Sequence, residues 1–385
     1  MVKRNKYMNV PEIRFKGLDK TWNKKTLDEL VQLNSGMDYK HLCNGNIPVY
    51  GTGGYMLSVN AALSYDKDAI GIGRKGTINK PYILKAPFWT VDTLFYAIPR
   101  KYNNLQFCNC IFQRIDWLKY DESTGVPSLS KNIINSIEVN CAPSYDEQQK
   151  IASYFQSLDS LIQTTSKKLV SLKQIKDASL QSMFPQEGET VPKVRFKGFE
   201  GEWEEKSFSA LYKKSIIKND LTFGTDKIIS VANMYYLTNV NVSDLEYLKT
   251  YNIMKLGDIA FEGNKSKRFL HGRFVENTIG DGIVSHVFVV FHPISAEHDI
   301  NYWKYAINNE NIMRNVLIRC TKSSTMMTDL VVDDFLKETI LVPTYAEQQK
   351  IGAYFRNLDR QISLQTQRLE KLKQIKAACL DKMFV

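Results

Sequence analysis

The chain of 385 residues contains nearly the same long segment twice, and this duplication limits the folds that it can adopt. Residues 147–184 align with residues 347–384 without a gap, and 20 of the 38 positions are identical. A shorter piece, PEIRFKG at residues 11–17, returns as PKVRFKG at residues 192–198, and a tryptophan follows each copy five residues later. The stretches in between hardly resemble each other. The chain is therefore predicted to consist of two units with diverged interiors and similar ends.

The repeated segment has the sequence pattern of a long amphipathic helix. Ser144 and Thr344 each stand three residues before a glutamate, which predicts a capping box. In that arrangement the hydroxyl accepts from a free N–H of the first turn, and the glutamate reaches back to the cap. Apolar residues then recur at alternating steps of four and three, a spacing that favours helices wound around each other. A helix of about 38 residues would be roughly 57 Å long.

The two helices could each pack on the unit that carries them, or they could pair with each other. Helices on different domains have no reason to share surface residues such as Lys173 and Lys373. We therefore expect antiparallel pairing, which would make the molecule pseudo-twofold. The residues expected to pair the helices and to dock partners are Ile151, Phe155, Leu158, Ile162, Leu169, Leu172, Ile351, Phe355, Leu358, Ile362, Leu369 and Leu372.

The expected fold class is α/β, of the α+β type, with two globular domains separated by the two long helices. Short β-rich runs between glycine turns, such as AIGI at residues 69–72, predict the strands of the first domain. The predicted divisions are a first domain at 1–143, the first helix at 144–184, a linker at 185–200, a second domain at 201–343 and the second helix at 344–385.

The diverged regions carry loops that combine basic residues, hydroxyls and glycines. GIGRKGTINK at residues 71–80 and GNKSKRFLHGRF at 263–274 are basic loops, and polar stretches at 121–129 and 320–330 precede the long helices. Such loops supply donors to phosphates and base edges, although each residue alone could equally lie on a solvated surface. The candidate DNA-binding residues are Thr52, Arg74, Lys75, Thr77, Lys80, Thr124, Lys265, Ser266, Lys267, Arg268, His271, Arg273, Lys322, Ser323 and Ser324.

Charge and composition favour some classes of partner over others. The net charge of +10 and an isoelectric point near 9.0 suit a polyanion, although solubility alone would also explain them. No apolar run approaches the roughly 20 residues of a transmembrane helix, and no apolar stretch follows the basic N-terminus. We therefore expect a cytoplasmic protein without a membrane partner.

Neither a metal site nor a catalytic centre is expected. His41 and Cys43 with Cys108 and Cys110 could form a zinc site, but their spacing does not match the common structural pairs. The sequence contains no GxxxxGK[ST] phosphate loop and no HExxH, and no helical pattern follows GIGRKG. Two other hypotheses stay open. The chain could be a self-sufficient nuclease or methyltransferase with an unrecognised motif, or a coiled-coil scaffold that binds proteins and not DNA.

The chain resembles the specificity subunit, the DNA sequence-recognition component, of type I restriction–modification systems. The resemblance covers essentially the whole chain. It is carried above all by EQQKIASYFQSLD at residues 147–159 and EQQKIGAYFRNLD at residues 347–359. The two RFKG openings and the GTGGY and GRKGTINKPYIL stretches support it.

The resemblance implies two target recognition domains that each bind one half of an asymmetric bipartite DNA site. The paired helices would set the gap between the half-sites, at about one turn of DNA or less. They would also dock two modification subunits, which methylate adenine with S-adenosylmethionine, and restriction subunits, which use ATP and Mg²⁺, would join that core. This chain itself would bind no cofactor and catalyse no reaction.

Overall fold

The computed structural model describes residues 9–238, 240, 244–266, 269–323 and 327–385. The chain divides into two compact units. Unit 1 comprises Met1–Lys167 and Thr366–Val385, and unit 2 comprises Lys168–Gln365. Each long helix begins in one unit and ends in the other.

Unit 1 holds nine strands, three short helices and the start of the first long helix within its described residues. In chain order the elements are β1 (Asn23–Thr26), α1 (Leu27–Leu30), β2 (Val31–Ser35), β3 (Asn44–Gly51), β4 (Gly54–Val59), β5 (Ala69–Gly73), β6 (Tyr82–Leu84), β7 (Trp89–Thr90), β8 (Leu94–Pro99), α2 (Leu105–Arg114), a 3₁₀ turn (Trp117–Tyr120), α3 (Lys131–Ser136), β9 (Glu138–Cys141) and α4 (Tyr145–Ser182).

The described elements of unit 2 are given in chain order up to the second long helix. They are β10 (Glu204–Ser207), α5 (Phe208–Leu211), β11 (Tyr212–Lys214), 3₁₀ turns (Thr225–Lys227 and Leu245–Thr250), β12 (Ile229–Ser230), β13 (Tyr235–Tyr236), β14 (Asn252–Met254), β15 (Ile259–Glu262), β16 (Arg273–Glu276), β17 (Gly282–Val284), β18 (Val289–Pro293), α6 (Ile300–Ala306), α7 (Glu310–Cys320), β19 (Thr321–Ser323), β20 (Thr328–Leu330), α8 (Val332–Lys337), β21 (Thr339–Val342) and α9 (Tyr345–Lys382).

The same antiparallel sheet of four strands lies in both units. Its strand order is β2–β8–β5–β6 in unit 1 and β11–β18–β15–β16 in unit 2. A two-stranded ribbon, β1–β9 or β10–β21, stands just before each long helix. The surrounding small sheets differ: β4–β3–β7 in unit 1, and β12–β13, β14–β17 and β19–β20 in unit 2. The predicted mixed fold with an internal repeat is confirmed.

Within each unit the start of one long helix pairs antiparallel with the end of the other. In unit 1, the Tyr154 hydroxyl lies 3.3 Å from the Cys379 thiol, and Lys376 Nζ lies 2.6 Å from Asp159 Oδ1. In unit 2, the Ser179 and Tyr354 hydroxyls are 2.9 Å apart, and Lys176 Nζ lies 2.6 Å from Asp359 Oδ1. Each residue in the unit 2 contacts lies 200 positions from its counterpart in the unit 1 contacts, so the two helices pair in the same register in both units. The predicted antiparallel pairing is confirmed.

The apolar stripe of each helix serves the core of a unit as well as the helix pair. Ile151, Phe155 and Leu158 are buried in one cluster with Phe107 of α2 and Phe384 beyond the end of α9. The equivalent cluster of unit 2 contains Ile351, Phe355, Leu358 and Phe184. Leu169 and Leu172 are also buried, whereas Ile162, Ile362, Leu369 and Leu372 are half-buried. Both sequence alternatives, packing on the unit and pairing of the helices, are therefore realised together.

The repeated RFKG piece of unit 1 connects two helix ends. The Ile13 N–H donates to the carbonyl of Lys382, at the end of α9 (2.9 Å). The Arg14 guanidinium donates to both carboxylate oxygens of Glu147, in the first turn of α4 (2.7 and 2.8 Å). Because the last carbonyls of a helix have no partner inside it, the piece satisfies one end of α9 while it anchors the start of α4.

Unit 2 repeats this connection with its own copy of the piece. The Val194 N–H donates to Ser182 O at the end of α4 (2.9 Å), and Arg195 donates to both oxygens of Glu347 (2.7 and 2.8 Å). Residues 185–200, expected from the sequence to be a linker, thus supply an ion pair to the start of α9.

The capping box predicted at the start of α4 is only half right. The Ser144 hydroxyl does accept from the Glu147 N–H, at 3.3 Å. The Glu147 carboxylate, however, accepts from Arg14 and from the indole N–H of Trp22 (3.1 Å) rather than from the cap. A long-range ion pair has replaced the local hydrogen bond, because a buried carboxylate is stabilised best by a cationic donor.

Candidate nucleic-acid interface

The two basic loops leave the central sheet at equivalent strand ends. Residues 74–80 follow β5 in unit 1, and residues 263–272 follow β15 in unit 2. Both strands occupy the third position of their sheets. Loops of unlike sequence are therefore presented from the same edge of the same frame.

A glycine at each exit lets a second backbone approach closely. A Cβ atom on Gly73 would lie 2.1 Å from the Thr77 carbonyl oxygen, and one on Gly263 would lie 2.2 Å from that of Thr328. Any side chain would push the neighbouring backbone away, so these positions need glycine.

A second polar segment braces each basic loop. In unit 1, Lys75 forms a β-bridge with Ser128, and Gly76 N–H donates to Pro127 O (2.8 Å). In unit 2, Asn264 bridges Met327, in the β19–β20 hairpin. The structure thus brings together the pairs of loops that the sequence placed far apart: 74–80 with 121–129, and 263–272 with 321–330.

In unit 1 most of the predicted residues are exposed. Arg74, Lys75, Lys80 and Thr124 are exposed, and Thr77 is half-buried. The Arg74 guanidinium lies 5.8 Å from the ring centre of Phe95, and its Nη1 donates to the carbonyl of Asp92 at 3.5 Å. The half-buried Thr52, at the tip of the β3–β4 hairpin, adjoins this loop, because a Cβ on Gly76 would be 3.9 Å from its hydroxyl.

The shape of the bracing loop in unit 1 depends on Asp121. Its Oδ1 accepts from the Ser128 N–H (2.8 Å), the Ser123 N–H (3.0 Å) and the Ser123 hydroxyl (2.9 Å). These bonds, first among them the one from Ser128, hold the pKa of Asp121 below its usual value of 3.8. The loop therefore uses this carboxylate to hold its own fold, while Thr124 stays exposed.

The unit 2 loop is held at its base by Arg273. The guanidinium donates to Glu262 Oε2 and to the carbonyl of Ala232, both at 2.7 Å, and lies 4.9 Å from the Phe269 ring centre. Much of this guanidinium is hydrogen-bonded within the unit, so Arg273 has a clear structural role. Its role in DNA binding stays a prediction.

The other predicted residues of unit 2 are placed as follows. Lys265, Ser266 and Lys322 are exposed, and His271 is half-buried. Ser266 closes a local turn, since its hydroxyl accepts from the Phe269 N–H at 3.0 Å. Lys267, Arg268 and Ser324 lie outside the described residues, as does the side chain of Ser323.

Sequence reasoning missed two exposed side chains at the tip of the β3–β4 hairpin. Tyr55 is 63% exposed and Met56 is 49% exposed, beside the predicted Thr52. Their only sequence signal is the GTGGY run, whose glycines predict a tight tip but not which neighbours face outward.

The described residues include no group of three His, Cys, Asp or Glu side chains that could hold a metal ion. Cys108 and Cys110 lie in the apolar core, whereas Cys43 is exposed. Burial raises the pKa of Cys110 to about 12, so its thiol stays protonated and is a poor metal ligand. Across the part of the chain that is described, no helix is both long and apolar enough to cross a bilayer.

Comparison with known proteins agrees with this arrangement. A family model described as the type I restriction modification DNA specificity domain matches the chain twice, at residues 19–174 and 200–374. The S subunit of a type I restriction-modification system from M. genitalium superposes with a TM-score of 0.67 at 13% identity, over 98% of this chain and 99% of that chain. The HsdS subunit from Thermoanaerobacter tengcongensis gives a TM-score of 0.44 at 14% identity, over 95% and 97% of the two chains. No curated protein matches the chain.

Proposed function

This chain belongs to the family of type I restriction modification DNA specificity domains and is a DNA sequence-recognition subunit, and we propose that each of its units binds one half of an asymmetric bipartite DNA site. The observation that carries the proposal is the pair of braced basic loops at equivalent strand ends. Their positions are equivalent but their sequences differ, so two different half-sites are expected.

In unit 1, the proposed contacts divide by chemistry. Arg74, Lys75 and Lys80 are exposed cations suited to phosphate oxygens, and Arg74 can also bind a guanine edge through two donors. Thr52, Thr77 and Thr124 supply short hydroxyl donors. In unit 2, Lys265 and Lys322 would take the phosphate role, and Ser266 and His271 would supply further polar groups.

We propose that the modification chemistry resides on partner subunits. S-adenosylmethionine would be bound by two modification subunits, and ATP and Mg²⁺ by restriction subunits, while this chain catalyses no step itself. A location in the cytoplasm is also proposed, because the ligand is cellular DNA. Purified chain incubated with DNA and either S-adenosylmethionine or Mg²⁺ should leave the DNA unmodified. Methylation or cleavage by the chain alone would instead establish a self-sufficient enzyme.

A methylation map tests the central proposal. The chain and its modification partner would be expressed in a host without adenine methylation, and the modified adenines would be located by sequencing the genome. We expect a two-part asymmetric motif with an unspecified gap. Replacement of residues 23–141 by those of another specificity domain should change one half of the motif only. A palindromic motif, or a change in both halves, would contradict the proposal.

DNA binding by the unit 1 loop can be measured directly. The triple variant Arg74→Ala, Lys75→Ala, Lys80→Ala should weaken binding and lower the slope of log K against log salt by about 0.9 for each phosphate that is no longer neutralised. The control removes Lys24 and Arg100, exposed cations that are paired with Glu138 and Asp28 outside the proposed contact loops. An unchanged slope in the triple variant would favour the scaffold hypothesis.

A further inference from the structure

The β3–β4 hairpin of unit 1 has an open tip. Gly51 and Gly54 are paired opposite each other, so Thr52 and Gly53 alone form the turn between the strands. A Cβ atom on Gly53 or Gly54 would meet no atom of the described residues within 4 Å beyond its chain neighbours. The tip is therefore open around these two glycines, and a partner can approach it there.

An irregularity in β4 lies directly behind the tip. Tyr50 pairs with Tyr55 across the hairpin. Val49 pairs with Leu57, which leaves Met56 as an extra residue without a partner on β3. Such a bulge changes the direction of the side chains next to it. Tyr55, beside the bulge, is 63% exposed, so most of its ring faces solvent.

The exposed ring of Tyr55 is held in one place. Its centre lies 6.4 Å from that of Tyr50 in an edge-on contact, and its hydroxyl lies 3.2 Å from the Ser58 hydroxyl. Tyr50 in turn contacts Tyr82 edge-on at 6.2 Å. A ring that is already fixed loses little conformational entropy when it binds, which is why rigid aromatic residues are common at recognition surfaces.

The same contacts join the hairpin to the basic loop of unit 1. Tyr82 begins β6, the strand that follows residues 74–80, and its hydroxyl donates to Gly51 O next to the tip (2.6 Å). A Cβ on Gly76, inside the loop, would lie 3.9 Å from the Thr52 hydroxyl. The hairpin tip and the basic loop therefore adjoin, and a duplex held by the loop would have the tip beside it.

The chemistry of Tyr55 differs from that of the loop. The cations of the loop suit phosphates, whereas the ring of Tyr55 offers an apolar surface and its hydroxyl lies against Ser58. The major groove of DNA admits a two-stranded β-ribbon, and the C5 methyl group of thymine is the apolar feature that a protein can contact there.

We propose that Tyr55 is a specificity-determining residue, whose ring packs against the C5 methyl group of a thymine in the half-site bound by unit 1. The inference rests on the proposed function and adds to it one residue and the base that this residue reads. The basic loop would hold the phosphates, and the braced ring would favour one base pair over the others.

Replacement of single thymines by deoxyuridine tests the proposal, because deoxyuridine lacks only the C5 methyl group. The duplexes would carry the site found by the methylation map, with one substitution at a time on either strand of the half that changes when residues 23–141 are replaced. Binding to the complex of the chain with its modification subunit would be measured by fluorescence anisotropy. We expect one position at which the substitution weakens binding about fourfold, the effect of leaving one methyl group unburied.

Variants of Tyr55 assign this discrimination to its ring. The thymine and deoxyuridine duplexes should bind Tyr55→Ala equally, whereas Tyr55→Phe keeps the ring and should retain the difference. The slope of log K against log salt should not change in either variant, because neither removes a phosphate contact. The control is Tyr102→Ala. Tyr102 is 72% exposed, but it follows the end of β8, whereas the Arg74 N–H bonds to Thr93 O just before the start of that strand.

The possible failures are distinguishable. The inference would be overturned by discrimination that persists in Tyr55→Ala, by its loss in Tyr55→Phe or in the Tyr102→Ala control, or by a half-site in which no substitution weakens binding. If the unaltered complex did not bind a bipartite site, the proposed function would fail instead. Thermal unfolding of each variant checks that the chain remains folded.

Discussion

Unit 1 and unit 2 share a frame and differ in what the frame carries. The shared parts are the central sheet, the ribbon before each long helix, and the RFKG piece that joins one helix start to the other helix end. The parts that differ are the loops after β5 and β15 and the small sheets around them. The repeated parts build the frame and hold the starts of the long helices, whereas the parts that differ include the loops for which we propose DNA binding.

The frame itself contains informative exceptions. Trp22 donates its indole N–H to Glu147, whereas the indole nitrogen of Trp203 is buried without a hydrogen-bond partner among the described residues. Leu84 ends β6 in the core of unit 1, and the equivalent position at the end of β16 holds the buried Glu276. The two units thus fill one frame with different local chemistry, and this difference can be tested.

Removal of the anchoring arginine should give the largest effect, and it should be larger in unit 2. Arg195→Ala leaves the Glu347 carboxylate, only 1% exposed, without its cationic partner. Such a loss costs about 3–5 kcal/mol of the free energy of unfolding. Arg14→Ala should cost less, because Trp22 still donates to Glu147. Urea unfolding monitored by hydrogen exchange would resolve the two units.

Arg319→Ala is the control for this comparison. Arg319 also binds a carboxylate, that of Glu338, but its side chain is 57% exposed. An exposed pair contributes about 1 kcal/mol or less. If Arg14→Ala destabilised its unit as much as Arg195→Ala, the indole of Trp22 would not be a substitute donor.

A pH dependence should distinguish unit 2 from unit 1. His298 Nε2 lies 2.8 Å from Glu276 Oε1 inside unit 2. Burial lowers the pKa of His298 from 6.5 to about 4, and burial together with the nearby Asp299 raises the pKa of Glu276 well above 4.5. Both shifts favour the uncharged forms, in which the carboxyl of Glu276 donates to the neutral imidazole of His298, over an ion pair. Unit 1 has Leu84 in place of the glutamate and should show no such dependence.

The directions of the pKa shifts of Glu276 and His298 set the pH range in which the stability of unit 2 should change. Above pH 4.5 the unfolded glutamate is ionised, so the raised folded pKa of Glu276 should make the stability of unit 2 fall as pH rises towards that pKa. The lowered pKa of His298 has the opposite effect below pH 6.5 and offsets this loss there. Glu276→Gln should abolish that loss and expose a new one as pH falls from 6.5 towards 4. Identical pH profiles for the variant and the unaltered chain would contradict neutral pairing.

Local signals in the sequence predicted the helices well and the contacts between distant segments poorly. The proline, cap and heptad spacing around residues 144 and 344 act within a few turns, so the helix starts at Tyr145 and Tyr345 follow from them. The partner of Glu147 is Arg14, 133 positions away, and no local rule identifies it. Composition marks the loops at 74–80 and 121–129 separately, but only the β-bridge between Lys75 and Ser128 shows that they touch.

A smaller effect is expected where α6 approaches the start of α9. A Cβ on Gly352 would lie 2.4 Å from Asp299 Oδ1 and 2.7 Å from the backbone nitrogen of Tyr302. Gly352→Ala should therefore displace the start of α6 and cost about 1–3 kcal/mol, reduced by the better helix propensity of alanine. The reciprocal change in unit 1, Ala152→Gly, should cost about 1 kcal/mol from propensity, and more from the loss of a buried methyl group. Thermal unfolding of the two variants measures the difference, and a stabilised Gly352→Ala would show that α6 yields easily.

The smallest effect concerns the aspartates that join the helix pair to the neighbouring short helices. Asp359 accepts from Lys176 (2.6 Å), from the Tyr305 hydroxyl (2.5 Å) and at 3.5 Å from Lys304, whereas Asp159 has Lys376 (2.6 Å) and Gln106 (3.2 Å). Asp359→Asn should cost about 1 kcal/mol and Asp159→Asn somewhat less, since both are partly exposed.

The Asp359 contribution also has a defined pH dependence. Burial raises the pKa of Asp359, but the bonds from Lys176 and Tyr305 outweigh burial and place it below the usual 3.8. The contribution is therefore present above pH 3.8 and is lost as pH falls through the lower, folded pKa. The difference in stability between the unaltered chain and Asp359→Asn should shrink below that pH. If Asp359→Asn and Asp159→Asn lowered the free energy of unfolding equally at pH 7, the additional donors on α6 would add nothing. The bond from α2 to Asp159 would then stabilise unit 1 as much as the bonds from α6 stabilise unit 2.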